Sequence, residues 1–403
     1  MTRLGRLAPL WTLIAALAGC TTPDNVASGP SADLGSLRPS PTGLPTSIEA
    51  SRPSPSAQAA EVAAQLKYAD LSTKLSEPDR YFFSDNLISN ETSFLDVGAA
   101  LGKLATPGGV YLGVGPEQNF SYIAIARPKT AFIVDIRRDN LLLHVFYRAC
   151  FQEARSRSHF LALVLGRELD AEHDTSETSD IGRVLELAQR ADGSPEAHGR
   201  VSDALTRRMG SFGLSLTEAD RSKITEIRRR FFQEGLGLRF ALHESNGRTY
   251  PSLADNLRAV GRDGTQSFLA DEGAFRFVQE LQRAGRVVPV VGDFAGEHAF
   301  ARLAEYLRAD GSAVSVFYVS NVEQYLLDPA KFAAYRKNVA QLPANDQSLF
   351  IRAYLDQGRR HPKQRDGQRT ATALFRIQDF SELWADKKTT TFWALATERM
   401  IEP

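Results

Sequence analysis

Val110-Tyr111-Leu112-Gly113-Val114-Gly115-Pro116-Glu117-Gln118-Asn119-Phe120 is the stretch on which the fold turns. Val110 to Val114 is a short β-rich run, followed at once by glycines, a proline and a helix-like stretch from Glu117 to Ala126. Pro116 suits a first helical turn, where its missing N–H costs nothing. A second run, Ala131-Phe132-Ile133-Val134-Asp135-Ile136, is almost continuously apolar, as expected of a strand covered on both faces. The pattern predicts one βαβ unit. Asp139 is placed to cap the helix that follows, in which Leu142, Val145, Phe146, Ala149 and Cys150 recur at helical spacing.

Working outward, the alternation resumes with a helix over 271–284, a strand over 287–291, a helix over 297–308 and a strand over 314–319. Strand-like runs at 348–355 and 370–377, joined by the polar loop 356–369, predict an antiparallel pair at a sheet edge. Between the two halves, residues 168–250 are polar, begin acid-rich, and carry amphipathic patterns. The clearest is 217–232, opened by Thr217 and Asp220 in a capping arrangement. This predicts a helical insertion and a candidate lid. The expected class is α/β: a Rossmann-like, mostly parallel sheet with a C-terminal antiparallel strand pair and a helical insertion.

The N-terminus reads differently. Arg3 and Arg6 precede an apolar run from Leu7 to Leu17, and Leu17-Ala18-Gly19-Cys20 follows. That is the order of an export signal, and it resembles the bacterial lipobox, which places lipidation on Cys20. The run is too short for a membrane span, which needs ~20 apolar residues. Residues 1–19 are therefore expected to be a signal peptide and 20–60, rich in Pro, Ser, Gly and Ala, a flexible linker. Residues 61–403 are then the folded domain. Thr21, rather than an aspartate, follows the cysteine and favours the outer membrane in a host with two membranes.

The chain carries 48 basic and 48 acidic residues, so no overall field argues for a nucleic-acid partner. Cys150 has no second cysteine to pair with once Cys20 is acylated, and an inert buried thiol is expected. The histidines show neither HxxxH nor HExxH spacing, and no protein-built metal site is expected. GxSxG and Walker A motifs are absent from the sequence.

The candidate site gathers at predicted strand ends. Gly113 and Gly115 let a ligand approach the backbone, and the helix opening at Gln118 and Asn119 offers free N–H groups. Asp135, 22 residues after Gly113, stands where an acid accepts from ribose hydroxyls. Gln118 occupies the third glycine position of the dinucleotide fingerprint, which weakens the case for NAD and leaves a nucleoside without pyrophosphate, such as S-adenosylmethionine, as the candidate cofactor. Asp293 ends the strand at 287–291 on the same edge, with His298 nearby as a candidate base. The bland alternatives are that Gly113 and Gly115 only make a tight strand-to-helix turn, and that Asp135 and Asp293 cap the helices that follow them. Ser320, Asn321, Glu323 and Tyr325, at the end of the strand over 314–319, are candidate substrate contacts, with Ser320 as a helix cap the alternative. Asn90 and Glu91, in Phe82-Phe83-Ser84-Asp85-Asn86-Leu87-Ile88-Ser89-Asn90-Glu91, are candidates at the pocket mouth; there the alternative makes the two phenylalanines core plugs and Ser89 or Asn90 a helix cap.

The strings Tyr-Phe-Phe-Ser-Asp-Asn at 81–86, Gly-Val-Gly-Pro-Glu-Gln-Asn-Phe at 113–120 and Ser-Asn-Val-Glu-Gln-Tyr-Leu at 320–326 resemble an uncharacterised bacterial lipoprotein family typified by leptospiral members. That resemblance covers about 61–380 and implies a class I methyltransferase-like domain, with no catalytic residues to carry over. Two functions stay open: a lipid-anchored, methyltransferase-like protein that binds S-adenosylmethionine or a related nucleoside, or a non-enzymatic binding or scaffold lipoprotein. The expected partners are membrane lipid, through acylated Cys20, and a small molecule or envelope protein.

Overall fold

Six strand-like runs become six strands: Val110–Gly113 (β1), Thr130–Asp135 (β2), Val287–Val291 (β3), Val314–Ser320 (β4), Leu349–Leu355 (β5) and Thr370–Arg376 (β6). In the computed structural model they form one sheet in the order β3-β2-β1-β4-β5-β6. The first five strands are parallel, while β6 runs antiparallel to β5 in continuous register from Leu349 opposite Arg376 to Leu355 opposite Thr370. Nearly every strand residue is buried, which is why β1, β2 and β3 read as almost unbroken apolar runs rather than as alternation. The structure describes residues 55–402, apart from 175–179, 245, 357, 385–386 and 388–389. The predicted signal, Cys20 and most of the predicted linker lie outside the described residues.

Pro55–Leu75 (α1) and Gly98–Leu104 (α2) precede the sheet, Gln118–Ala126 (α3) joins β1 to β2, and Arg138–Glu153 (α4) follows β2. Arg157–Val164 (α5), Ile181–Arg190 (α6), Pro195–Gly210 (α7), Glu218–Glu234 (α8) and Leu253–Leu257 (α9) come next. Glu272–Arg283 (α10) leads into β3, Ala299–Ala309 (α11) into β4 and Pro329–Gln341 (α12) into β5, while Ile377–Trp384 (α13) and Phe392–Thr397 (α14) end the fold. None of the described helices is long and apolar enough to cross a membrane.

One expected helix cap is corrected and another is found. Asp139 lies inside the first turn of α4, whose cap position is Arg137. The capping box of Thr217 and Asp220 forms as expected, and Asp220 also binds Arg138 through both carboxylate oxygens, joining α8 to α4. The helices α6, α7 and α8 of the polar stretch pack on α4 and α5 and supply no residue to the cavity described below. The last part of the same predicted insertion, 240–250, does line that cavity.

Candidate functional site

The strand order reverses between β1 and β4, and in open α/β sheets the crevice outside the strand carboxyl ends at such a point is where ligands bind. A cavity of about 580 Å³ lies there, within the range of small-molecule sites. Its walls include Gly115 and Gln118 after β1, Asp135 and Arg137 at the end of β2, Asp293 after β3, and Ser320, Asn321 and Tyr325 at the end of β4. Asn90 and Glu91 from the segment before the sheet complete them.

Local chemistry builds the β1 turn. Gly115 has φ +79°, a conformation that L side chains rarely adopt. The amide of Asn119 donates to the carbonyls of Val114 (2.9 Å), Gly115 (3.1 Å) and Pro116 (2.8 Å), and its oxygen accepts from Tyr111 (2.8 Å). His144 supports the same loop from below, its Nε2 2.9 Å from the Gly115 carbonyl. Burial pushes that imidazole down to about 4, so the ring is neutral and donates through Nε2.

Two expected ligand contacts are thereby corrected. Asn119 is fully buried and holds the turn instead of facing the cavity. A side chain at Gly113 would strike Asn119 and Tyr111, so that glycine makes room for the brace and not for a ligand. Both signals were present as residue types; only their direction was illegible.

Asp135 lines the cavity, but Arg137 lies across it. Oδ1 accepts from the Arg137 backbone N–H and Nε, both at 3.0 Å, and Oδ2 from Nη2 at 2.8 Å. Arg137 also donates to the Asp85 carbonyl (2.8 Å), tying the segment before the sheet to β2. Asp293 accepts from the Ala295 N–H (2.9 Å) and meets Arg80 at 3.3 Å. It does not cap α11. That role falls to Glu77, which accepts from the N–H groups of Asp293 (2.6 Å), His298 (3.2 Å) and Ala299 (3.2 Å). Neither acid is thus the N-cap that the bland alternative made it. His298 itself lies at the first turn of α11, its ring 3.2 Å from the Lys74 carbonyl and outside the cavity lining.

At β4 the register slips between Tyr318 and Ser320, and Ser320 takes φ +53°. A bulge followed by a left-handed residue re-aims the chain end. The Ser320 hydroxyl consequently donates to Glu91 instead of capping a helix. Glu91 also accepts from the Tyr318 hydroxyl at 2.6 Å, and that oxygen accepts in turn from Gln118 Nε2 at 2.9 Å. Burial, the largest influence, pushes the Glu91 carboxyl up. Glu323 is corrected outright: it is fully buried and paired with Arg352, far from any substrate role.

At the rim, Phe82 and Phe83 stack at 4.4 Å and both meet Tyr325 edge-on, at 5.4 and 5.7 Å. Phe83 is 40% and Tyr325 37% exposed, so this is a solvent-facing aromatic collar and not a set of core plugs. Sequence reasoning missed Arg80, Arg137, Arg248, Tyr250 and Lys331, all of which line the cavity. Arg248 and Tyr250 sit in a segment with no regular pattern, and only the three-dimensional path brings them there. Cys150 is fully buried, and burial pushes its thiol up, so it is inert as expected. Among the described residues no three His, Cys, Asp or Glu side chains are grouped as metal ligands would be.

Glu117, beneath the β1 turn, accepts from the Ser89 N–H at both oxygens (3.1 and 3.2 Å) and from the Asn256 amide (3.0 Å). Burial, the dominant cause, pushes its carboxyl from 4.5 up to about 7. Between those values the native state holds a proton that the unfolded chain releases, so stability should fall as pH rises through this window and then level off. Glu117→Gln should flatten that segment of the profile, on the order of 3 kcal/mol. Urea unfolding at stepped pH measures it; an unchanged slope in the variant would refute the assignment.

A family model described as a domain of unknown function, DUF7790, matches residues 87–184 and 212–402. The chain belongs to this family. The DUF7790 match takes in the whole sheet and the cavity residues from Ile88 onward, and leaves out Arg80 to Asn86 at the rim. It also leaves out 185–211, most of α6 and all of α7, which contribute nothing to the cavity. Comparison with curated proteins gives no match.

Proposed function

We propose that this DUF7790 protein is a lipid-anchored envelope protein whose class I methyltransferase-like domain binds S-adenosylmethionine or a related nucleoside in the cavity at the sheet's carboxyl edge. The carrying observation is the convergence on that cavity of Gly115, Gln118, Asp135 and Asp293 from three successive strand ends. Gly115 would let the ligand approach the backbone, and the opening turn of α3 would face it with N–H groups. Asp135 fits a ribose despite Arg137: a carboxylate has about four acceptor sites, and Arg137 takes three. Bound S-adenosylmethionine would supply an electrophilic methyl group. Arg137 would hold Asp135 in one orientation, and the aromatic collar would shield the cavity from water.

Calorimetry of the purified chain with S-adenosylmethionine and S-adenosylhomocysteine tests this. Saturable binding is expected, weakened about tenfold or more by Asp135→Asn through loss of a charged hydrogen-bond acceptor. No heat at millimolar ligand would sink the nucleoside reading, and undiminished binding in the variant would sink the ribose assignment. The Arg137–Asp135 pairing favours a second reading, a binding or scaffold lipoprotein that reuses the fold without catalysis, because it leaves little of the acid for a ligand. Absence of methyl transfer in a chain that still binds small molecules at this cavity would support that alternative.

A further inference from the structure

Three carboxylates line the cavity, and two are already neutralised: Asp135 by Arg137 and Asp293 by Arg80. Glu91 is the third, and among the described residues no cation pairs with it. It is 1% exposed, and its Oε1 takes both hydroxyl donors, Tyr318 and Ser320. Its Oε2 is buried without a hydrogen-bond partner among the described residues. Gln118, also on the cavity wall, spends its amide N–H on Tyr318, and its Oε1 is likewise buried without a partner. Buried acceptors left unpaired are costly, and a buried carboxylate more so. The floor of the cavity thus holds two unpaired acceptors, one of them a carboxyl oxygen, and no donor between them.

We infer that this floor is a subsite for a protonated amine, with Glu91 Oε2 and Gln118 Oε1 accepting from the ammonium of a ligand whose remaining, apolar part lies against Phe82, Phe83 and Tyr325. The inference rests on this cavity being the ligand site and names the class of ligand. An ammonium brings three donors and a positive charge, which suits two unpaired acceptors, one of them a carboxyl group that the arriving charge would hold ionised. A hydroxyl brings one donor and no charge. The geometry at β4 serves this arrangement: the bulge and the left-handed Ser320 direct a hydroxyl onto Oε1, which leaves Oε2 as the carboxylate's free side. Burial's upward push on the Glu91 carboxyl is what an arriving cation would offset. The ammonium has two chemical sources, the amino-acid end of an S-adenosyl compound or a separate amine, and one panel of probes tells them apart.

The panel is phenethylamine against 2-phenylethanol, and S-adenosylhomocysteine against 5′-methylthioadenosine, titrated by ligand-observed NMR into the full chain. The charged member of at least one pair should bind about tenfold or more tighter, because a buried charge pair is lost in its neutral analogue. Glu91→Gln should abolish that preference, since it removes the charge and turns a donor toward the ammonium. A preference in the second pair alone assigns the ammonium to the nucleoside ligand; one in the first assigns it to a separate amine. Equal binding within both pairs, no binding at all, or a preference that survives Glu91→Gln overturns the inference. Should Glu91→Gln fail to fold by thermal unfolding, Gln118→Leu decides: the preference falls several-fold, or the subsite is wrong. Nucleosides that stay silent while phenethylamine keeps its preference would remove the nucleoside reading and leave the amine subsite standing. Nucleosides that bind alike, with no amine preference, would do the reverse.

Discussion

Glu323→Ala is expected to lower the stability of the fold by about 3–5 kcal/mol, the cost of leaving a buried charge without its partner. Arg352 is 2% exposed and Glu323 fully buried. Arg352 Nε donates to Oε2 at 2.6 Å and Nη2 to Oε1 at 2.9 Å, while the Tyr335 hydroxyl donates to Oε1 at 2.9 Å. The guanidinium also lies over Phe350 at 4.5 Å and Phe375 at 4.6 Å, so without Glu323 its charge would be left to aromatic faces and the Tyr335 hydroxyl. Those contacts are worth about 2 kcal/mol when desolvated, too little to replace a bidentate carboxylate. Arg352→Met combined with Glu323→Ala should therefore cost less than Glu323→Ala alone, a coupling that a double-mutant cycle by urea unfolding measures. A single-variant loss under about 1 kcal/mol, as for an exposed pair, would show that the pair is not carrying β4 and β5. The consequence reaches the site, because Glu323 sits in the turn between Ser320 and Tyr325. Pinning it to β5 fixes where the floor hydroxyl and one wall of the collar stand.

That same residue shows where a sequence stops informing. Glu323 in Ser320-Asn321-Val322-Glu323-Gln324-Tyr325 has the look of a polar contact at a strand end, and nothing local reveals that Arg352 takes it inward. The strands were legible because a buried parallel strand must be apolar along its length, a local and contiguous property. All six lie within about a residue of their expected bounds, a tolerance ordinary for element ends. The site's location was legible for a derived reason: ligands gather at carboxyl edges, and strand ends are visible in sequence. Which side chains turn toward the cavity depends on partners far along the chain. Gln118 meets Tyr318 across 200 positions and Tyr318 meets Glu91 across 227. Asn119 and Gln118 are neighbours of similar chemistry, yet one braces the turn and the other faces the cavity, a difference set by Tyr111 and Tyr318. Arg137 stands two residues after Asp135 and still escaped notice, because an exposed-looking arginine after a strand is ordinarily a solvated surface group.

Cys20→Ala should move essentially all of the protein from the membrane fraction to the soluble one, the largest change any single substitution here is expected to make. Burying acyl chains is worth about 0.8 kcal/mol per methylene, and two or more chains anchor stably where one is marginal. No described helix offers a second means of spanning the bilayer. The substitution also preserves a route for cleavage, since Ala18 and Gly19 before a small residue suit the ordinary secretory cut. An uncleaved apolar run is thus not expected to hold the variant at the membrane. Fractionation with labelled palmitate checks both steps: label on the natural chain alone, and solubility of the variant alone. Unchanged partitioning, or label that persists on the variant, would refute the anchor. Release would bear on the cavity as well. A lipid-anchored exported domain meets little S-adenosylmethionine, so a chain that loses its anchor with Cys20 and still binds amines through Glu91 would favour capture of an extracytoplasmic ligand over methyl transfer.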